Sequence, residues 1–352
     1  MSEITLLVNN LKWLGWQDAT VTRSIESVFG QFSLKLTRGW PSPNTAAVPP
    51  IKKGDNCQLL LGGEKVITGY INNIDLEATA DGFTLTVSGR DKTALLFKGD
   101  VLNDPAEWKN VDALKIANDI CAPFDISVSN TAPVGQVFEK FTVTPGESAN
   151  EAIKRLCRHR GLYHYADING NLILANATAA TRAAGSISFG KNGNAFSSRF
   201  SNGLENQNSQ YIVRNQSAGA NWGANEHSKI TATVSDPTVK QYSPKIIIPD
   251  EPGDIEAAKK LATHTASLAA GQSRQNTFGI AGWRQSTGGP LWGIHQTCEV
   301  RDDISGLNDL MMIKRCVFTV KANQSETVDL TVVDPSAYQL IAVPEKSKGG
   351  WS

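Results

Sequence analysis

The stretch that decides the fold is GDNCQLLL at 54–61, which is followed by Gly69, by FTLTV at 83–87 and by Asp91. A similar order returns near the C-terminus, with Gly293, CEV at 298–300, Gly306, VDLTV at 328–332 and Asp334. In both copies apolar side chains occupy every second position, which is the period of a strand with one buried and one solvated face. The sequence therefore predicts two related small β-barrels in one chain.

The sequence pattern predicts that the first barrel extends over residues 1–97. FSLKL at 32–36 alternates apolar and polar side chains, and Gly62-Gly63 separates two strand-like runs as a tight hairpin turn would. Residues 39–50 contain four prolines, including those on either side of Ser42. Proline lacks the main-chain donor that a central strand needs, so this segment is predicted to be a long loop.

Residues 98–185 predict a small α+β domain with two helices and a hairpin. Asn110 is the expected N-cap of the first helix. Ser148 and Glu151 form the S-x-x-E capping box of the second helix, and an apolar stripe at helical spacing follows them. Asn169-Gly170 then provides the turn of the hairpin.

Residues 186–345 predict the second barrel, interrupted by a helix over 254–270, and residues 346–352 predict a flexible tail. Residues 175–200 are rich in Ala, Ser, Gly and Asn and are expected to link the domains. The fold class is therefore mainly β with an α+β part: two similar small β-barrels, a small α+β domain, and a helix inserted in the second barrel region.

Composition excludes several classes of function. The chain carries 34 basic and 34 acidic residues, so it has no overall electrostatic reason to hold nucleic acid or an anionic membrane. The five cysteines are widely spaced and include no CxxC, which favours reduced, buried thiols and synthesis in a reducing compartment. No signal peptide and no apolar run of membrane-spanning length is expected.

The sequence contains no recognisable catalytic motif. It has no HExxH and no GxSxG, and its glycine-rich turns lack the spacing of phosphate-binding loops. We therefore expect no catalytic, cofactor-binding or metal-binding residues and no small-molecule substrate. Two alternatives stay open: a peptidoglycan hydrolase that uses Asp302 and Asp309 as acid and base, and a carbohydrate- or receptor-binding module that uses Trp40 or Trp222.

Several segments together resemble the late-control D family of phage tail proteins and the baseplate hub of Mu-like contractile-tail phages. The C-terminal segments that carry this resemblance are 289–293, 298–302, 313–320 and 327–331. The middle segments are 151–162 and 167–172, and the N-terminal ones are 21–27, 89–94 and 121–123. The resemblance extends from about residue 4 to about residue 340.

This resemblance implies a structural protein of the virion, made in the cytoplasm of the bacterial host from a phage or prophage late gene. In such phages the hub is a homotrimer whose two barrels per chain form a pseudo-sixfold ring. The ring joins the tail tube to a central spike protein and lets phage DNA pass during ejection without specific binding. The balanced charge of the chain suits that passage.

Two segments are predicted to lie near the subunit interface, Ala19–Ile25 and Leu310–Val320. The candidate interface residues on them are Thr20, Thr22, Arg23, Ile313, Arg315 and Val317. In a ring of such subunits, the edge strands of each barrel carry unpaired main-chain groups that a neighbouring subunit can pair.

Overall fold

The structure, a computed structural model, describes residues 3–27, 29–38, 50–216, 229–249 and 255–338. The predicted proline-rich loop and the predicted tail lie largely or wholly outside these residues. The N-terminal region forms the strands β1 Ile4–Val8, β2 Leu11–Trp13, β3 Asp18–Ser24, β4 Gln31–Arg38, β5 Asn56–Leu61, β6 Glu64–Thr79 and β7 Gly82–Asp91.

The middle region alternates short strands and helices. Its elements are β8 Glu107–Val111, α1 Ala113–Cys121, β9 Val128–Asn130, β10 Phe138–Thr142, α2 Ala149–His159, β11 Tyr163–Ala166 and β12 Leu172–Ala175. The rest of the chain forms β13 Thr181–Arg182, β14 Ile187–Phe189, β15 Ala195–Asn202, β16 Gln210–Gln216, β17 Lys229–Ser235, β18 Pro244–Ile247, α3 Ile255–Ser273, β19 Arg274–Ala281, β20 Gln296–Asp302, β21 Leu307–Val320 and β22 Thr327–Val333.

One sheet contains both copies of the repeated pattern. Its strand order is β15-β19-β22-β21-β3-β4-β7-β6-β5-β1-β2, with β13, β14 and β20 attached beside β21. We call β3, β4, β5, β6 and β7 the first unit, and β15, β19, β20, β21 and β22 the second unit. The fold class is confirmed: the chain is mainly β, with two similar barrel-type units and α+β additions.

The two units have the same internal pairing. In the first, the long strand β6 pairs with β5 through its N-terminal half and with β7 through its C-terminal half. In the second, β21 pairs in the same way with β20 and β22. A β-bulge interrupts the ladder at Asn72 of β6 and at Lys314 of β21. The duplication predicted from the sequence is thus present strand by strand.

One correspondence within the repeat differs from the sequence pattern. Gly306 lies in the turn that joins β20 to β21, with φ +71°, so its counterpart is the turn Gly62-Gly63 and not Gly69. Gly69 lies inside β6, where a side chain could not fit, because a Cβ there would be 1.9 Å from the carbonyl oxygen of Arg90. The two glycines therefore serve different needs, a left-handed backbone and a close strand contact.

The two units share one hydrophobic core. Buried side chains of β4 and β7 pack in a cluster with those of β1 and β5, and the same cluster continues through β19, β21 and β22. Val21, Leu34 and Val87 are among its fully buried members. The five cysteines are all free and buried, as predicted.

The α+β region has its own core, formed by side chains between Leu96 and Leu174. The capping box of Ser148 and Glu151 is present at the start of α2, as predicted. The predicted helix α1 is present, but its predicted N-cap was wrong: Asn110 lies in β8 with φ +55°, and Asp112 caps the helix by accepting a hydrogen bond from the Lys115 amide. The carboxylate of Asp112 serves as the N-cap because it reaches the free amides of the first helical turn.

The insertion in the second unit is larger than a helix alone. β17, β16 and β18 form a separate three-stranded sheet, and α3 packs on it through Ala258 and Ala262. All four elements lie between β15 and β19 in the chain. The stretch 175–200 is more ordered than a linker, because β13 and β14 pair in parallel with β20. Its buried Ile187 adds to the shared core.

Each unit ends in the same way, with an aspartate that caps a short 3₁₀ helix. Asp91 accepts hydrogen bonds from the amide and hydroxyl of Thr93 and from the Gly30 amide. Asp334 accepts one from the Ser336 amide. The two differ in environment, since Asp91 is buried and Asp334 is exposed. Burial raises the pKa of Asp91 to about 6, although the hydrogen bonds it accepts oppose that shift.

We predict that Asp91→Asn flattens the dependence of stability on pH between about pH 4 and pH 7. Since the pKa of Asp91 is higher in the folded state, its favourable contribution is present at low pH and is lost as the pH rises through about 6. The difference between the unfolding free energies of the variant and the wild type should therefore shift by about 2–3 kcal/mol in favour of the variant as the pH rises from about 4 to about 7. Urea titrations at several pH values measure it, with Asp334→Asn as the matched control. Parallel profiles for wild type and Asp91→Asn would contradict the prediction.

Candidate functional surface

The sheet has one polar face that crosses both units without interruption. A row of directly opposed residues follows it from β15 to β6: Ser197, Gly279, Asp329, Val317, Thr22, Gln31, Arg90 and Tyr70. A second row contains Thr327, Thr319, Thr20, Ser33, Ser88 and Asn73. Hydroxyl and amide side chains make up half of the first row and all of the second. We call this surface the polar face.

The opposite face of the same strands is apolar. Its corresponding row contains Ile280, Val328, Phe318, Val21, Phe32, Gly89 and Ile71. Gly89 is required there, because a Cβ would be 2.3 Å from the Phe32 ring. The period of two residues thus sorts each strand into a core side and a polar side, and the pairing aligns these sides across the two units.

Charges on the polar face are balanced. Its basic side chains are Lys35, Arg90, Arg199 and Arg315, and its acidic ones are Asp18, Asp75, Glu77 and Asp329. Asp18 and Lys35 lie directly opposite each other on β3 and β4. Opposite charges in mixed order leave no strong field of either sign on this surface.

The predicted interface residues fall on strands that pair with each other inside the chain. β3 and β21 are antiparallel neighbours, with Thr20 opposite Thr319 and Thr22 opposite Val317. This pairing joins the two units. Thr20, Thr22, Arg315 and Val317 lie on the polar face, so they stay candidates for a contact through side chains, but the main-chain groups of this ladder are used within the chain.

The other two candidates point away from the polar face. Ile313 is fully buried in the shared core. Arg23 lies opposite Cys316, and its guanidinium donates a hydrogen bond to the carbonyl oxygen of Ala166 at 2.9 Å. Arg23 therefore connects the first unit to the α+β region. Its contribution to a subunit interface stays a prediction.

The junction between the units is reinforced by a buried ammonium group. The bulge residue Lys314 has a side chain only 3% exposed, and its Nζ lies 2.9 Å from Oε2 of Glu26. The hydroxyl of Tyr338 donates to the other carboxylate oxygen of Glu26. The main chain adds a hydrogen bond from the Ile25 amide to the Lys314 carbonyl, 2.9 Å long. These contacts tie the segment after β3 to β21 and to the end of the chain's last described helix.

Two open edges terminate the polar-faced strands. β15 pairs with β19 on one side, and the described strands leave its other side unpaired. The C-terminal half of β6, from Asn73 to Thr79, pairs with β7 but lies beyond the reach of β5. Both edges carry exposed apolar side chains, Phe196 and Phe200 on β15 and Leu76 on β6. The sequence analysis did not identify these edges. The two phenylalanines of the polar segment FSSRF at 196–200 could have indicated an exposed strand that a partner covers.

The residues of the hydrolase alternative have structural roles. Asp302 is buried, accepts a hydrogen bond from the Ser198 hydroxyl at 2.6 Å, and caps the turn through the amides of Ile304 and Ser305. Asp309 lies on β21 opposite Val300. Among the described residues no cluster of His, Cys, Asp and Glu is arranged to hold a metal ion. Trp40 and Trp222, named for the carbohydrate-binding alternative, lie outside the described residues.

The buried histidines are also structural. His295 accepts or donates a hydrogen bond with the Tyr163 hydroxyl at 2.8 Å, beside the ring of Tyr165. Burial lowers the pKa of His295, and it lowers the pKa of His164 to about 4. The imidazole of His295 lies among aromatic rings and that of His164 lies 3.2 Å from Oδ1 of Asn150, so both suit a core position. Within the described ranges, no helix combines the length and hydropathy needed to cross a bilayer.

Comparison with known proteins assigns the family. Two family models match in succession: the Mu phage baseplate assembly protein GpP-like N-terminal model over residues 3–91, and the second domain of the baseplate hub protein gp44-like model over residues 93–176. Baseplate hub protein gp44 of Escherichia phage Mu is 31% identical over 297 residues, which cover 82% of this chain and 76% of gp44. The chain belongs to the Mu-type baseplate hub family.

Two solved structures of tail proteins share the fold of this hub protein. The 43 kDa tail protein of prophage MuSo2 from Shewanella oneidensis is 30% identical, with a TM-score of 0.84 over 97% of this chain and 100% of that one. The tail protein from Neisseria meningitidis MC58 has a TM-score of 0.83 at 18% identity, over 96% and 98% of the two chains. The hub protein is therefore a structural component of the tail baseplate of a virion, and it is not an enzyme.

We predict that Glu26→Ala destabilises the hub protein by about 2–3 kcal/mol, because it leaves the Lys314 ammonium buried without a counter-charge. Lys314→Met should cost much less, since it removes the charge and keeps an unbranched side chain. Chemical denaturation of both variants and of their combination measures the effect. The combination should recover most of the loss caused by Glu26→Ala; equal stabilities for wild type and Glu26→Ala would refute the predicted role.

Proposed function

We propose that three copies of the hub protein form a ring whose bore is lined by the polar face and through which phage DNA passes. The observation that carries this proposal is the continuous polar face, which runs through four strands of each unit and ends at an open edge on either side. A row of strands with an open edge at each end and one solvated face can close into a ring, with that face lining the bore. Two similar units per chain give a trimer the outline of a hexagon, which matches a sixfold tube to a threefold spike.

The dimensions of such a ring are compatible with DNA. Eight strands per chain, β15 to β6 along the sheet, would give three chains a wall of 24 strands. At about 4.8 Å per strand the circumference is about 115 Å and the backbone diameter about 37 Å before any strand tilt, which would widen it. The two grooves of B-DNA are each about 8 Å deep and lie on opposite edges of the base pairs. The duplex is therefore about 20 Å wide and needs a bore of at least that diameter. The hydroxyl and amide side chains of the polar face fit within the difference.

The balanced charges of the polar face favour the passage of DNA through the ring over its retention there. Duplex DNA binds proteins chiefly through basic groups that replace its counterions. On the polar face Lys35 lies directly opposite Asp18, and Arg315 has Asp329 nearby on the neighbouring strand. A wall of hydroxyls with balanced charge gives the phosphates no continuous basic track. DNA would therefore slide along it without a strong preferred position.

The rims of the proposed ring would meet other tail components. One rim faces the tail tube or its adjoining baseplate proteins, and the other faces the central spike. The α+β region and the sheet of β16, β17 and β18 are separate from the strand path and would enlarge these contacts. No small-molecule substrate or cofactor takes part in this role.

We predict a homotrimer in solution. Mass measurement by light scattering across a concentration series should give about three times the chain mass of 37.9 kDa at the highest concentrations. Negatively stained particles should show a hollow outline with threefold or pseudo-sixfold symmetry. A strictly monomeric particle at every concentration, or a compact oligomer without a bore, would count against the proposed ring.

We also predict that a basic polar face would trap DNA in the ring. The triple variant Thr20→Lys, Ser33→Lys and Ser88→Lys adds one row of charge to the polar face. It should bind linear duplex at low salt, and the binding should fall steeply as salt rises. A covalently closed circle of the same sequence should bind far less, because it cannot enter a closed bore.

The matched control places lysines at Ser127, Ser129 and Thr131, which are exposed in the α+β region. This variant carries the same net charge and should bind linear and circular DNA alike. If the triple polar-face variant also fails to distinguish the two forms of DNA, its lysines do not line a bore.

A further inference from the structure

We propose that the ring closes by pairing β15 of one copy with the C-terminal half of β6 in the next copy. The register of this pairing places Phe200 opposite Leu76 and Arg199 opposite Glu77. The inference rests on the proposed ring and adds to it the contact between subunits. It follows from the repeat inside the chain, because one of the two junctions that a ring of such units needs is already present in each molecule.

The visible junction is the pairing of β21 with β3. β21 uses the edge that follows its bulge at Lys314, and there Phe318 lies opposite Val21 and Thr319 opposite Thr20. β6 has the same edge after its bulge at Asn72, and within the described chain that edge is open. β15 occupies the place in the second unit that β3 occupies in the first, and its outer edge is open as well.

The equivalent residues on β6 and β21 follow from counting along both strands. Leu76 and Phe318 each lie four residues after the bulge. They also lie opposite Leu85 and Val328, which precede the capping aspartates Asp91 and Asp334 by the same number of residues. Leu76 thus corresponds to Phe318, and Glu77 corresponds to Thr319.

The equivalent residues on β15 and β3 follow in the same way. Val21 lies opposite Phe32, which lies opposite Gly89, two residues before Asp91. Phe200 lies opposite Asn276, which lies opposite Val332, two residues before Asp334. Phe200 therefore corresponds to Val21, and Arg199 corresponds to Thr20. Transferring the internal junction to the open edges gives the proposed register.

The side chains that this register brings together are complementary. Leu76 is 52% exposed and Phe200 46% exposed in the single chain, and each would cover the other. Glu77 and Arg199 carry opposite charges and are both exposed on the polar face. Cross-strand apolar and opposite-charge pairs stabilise antiparallel strands, whereas like charges in direct opposition destabilise them. The register follows from strand pairing alone, so the matching exposure and charge at these positions support it independently.

The open edges themselves favour this occupant. An exposed strand edge with aromatic side chains is prone to uncontrolled pairing unless a partner covers it. β15 and β6 lie at opposite ends of the polar-faced strands, so pairing between them is head-to-tail and can continue around a ring until it closes. A second copy of the chain supplies the missing edge in the correct orientation with its polar face continuous.

Cysteine cross-linking tests the register. The variant Leu76→Cys with Phe200→Cys should give, on mild oxidation, a covalent trimer on a denaturing gel. The native cysteines should stay silent because they are buried, and burial raises the pKa of Cys57 and Cys298 to about 12. The matched control is Leu76→Cys with Ser198→Cys. Its residues would lie on a diagonal about 7–8 Å apart, too far for a disulfide.

Charge reversal provides a second readout that does not depend on thiol geometry. Glu77→Arg alone and Arg199→Glu alone should each shift assembly towards monomer in light scattering. The double variant should restore the trimer, because it re-forms the pair with the charges exchanged. Trimer that is insensitive to both single reversals would contradict the proposed contact.

The outcomes separate this inference from the proposed function. Cross-linking at 76/200 but not at 76/198 supports the register. A wild-type trimer whose 76/200 variant keeps its trimeric mass without cross-linking, or cross-links equally at 76/198, overturns the pairing and leaves the ring standing. A wild-type protein that never assembles overturns the ring and the pairing with it.

Discussion

The antiparallel pairing of β3 with β21 is the contact on which the rest of the structure depends. Main-chain hydrogen bonds between these strands, which are separated by most of the chain, join the two barrel-type units into one sheet. Because directly opposed residues share a face, the pairing also aligns the polar sides of both units. The buried pair of Lys314 and Glu26 and the bond from Arg23 to the α+β region lie at the same junction.

The repeat explains why one chain can present two open edges of matching shape. In the internal junction a large residue, Phe318, lies opposite a smaller one, Val21. In the proposed external junction the larger residue, Phe200, is on the other strand and faces Leu76. Exchanging which strand carries the aromatic ring keeps one aromatic and one aliphatic side chain in each contact, while it makes the two junctions chemically distinct. Distinct junctions favour a ring over slippage of one unit into the place of the other.

The additional modules leave this path of strands intact. The α+β region follows β7, and the sheet with α3 is inserted between β15 and β19. Neither interrupts the row of strands from β15 to β6. The hub protein therefore combines one uninterrupted path of strands with two additional modules that lie outside that path.

The sequence by itself determined the duplicated strands, the capping box at Ser148, the inserted helix and the absence of a recognisable catalytic motif, because these depend on local periodicity and spacing. It misplaced the cap of α1, where two polar residues competed for one helix terminus, and the glycine of the second repeat. Only the tertiary structure decided that β3 and β21 pair inside the chain and that the open edges are β15 and β6. Strand pairing joins segments far apart in the chain, and alternation shows which side of a strand is buried but not which strand lies beside it.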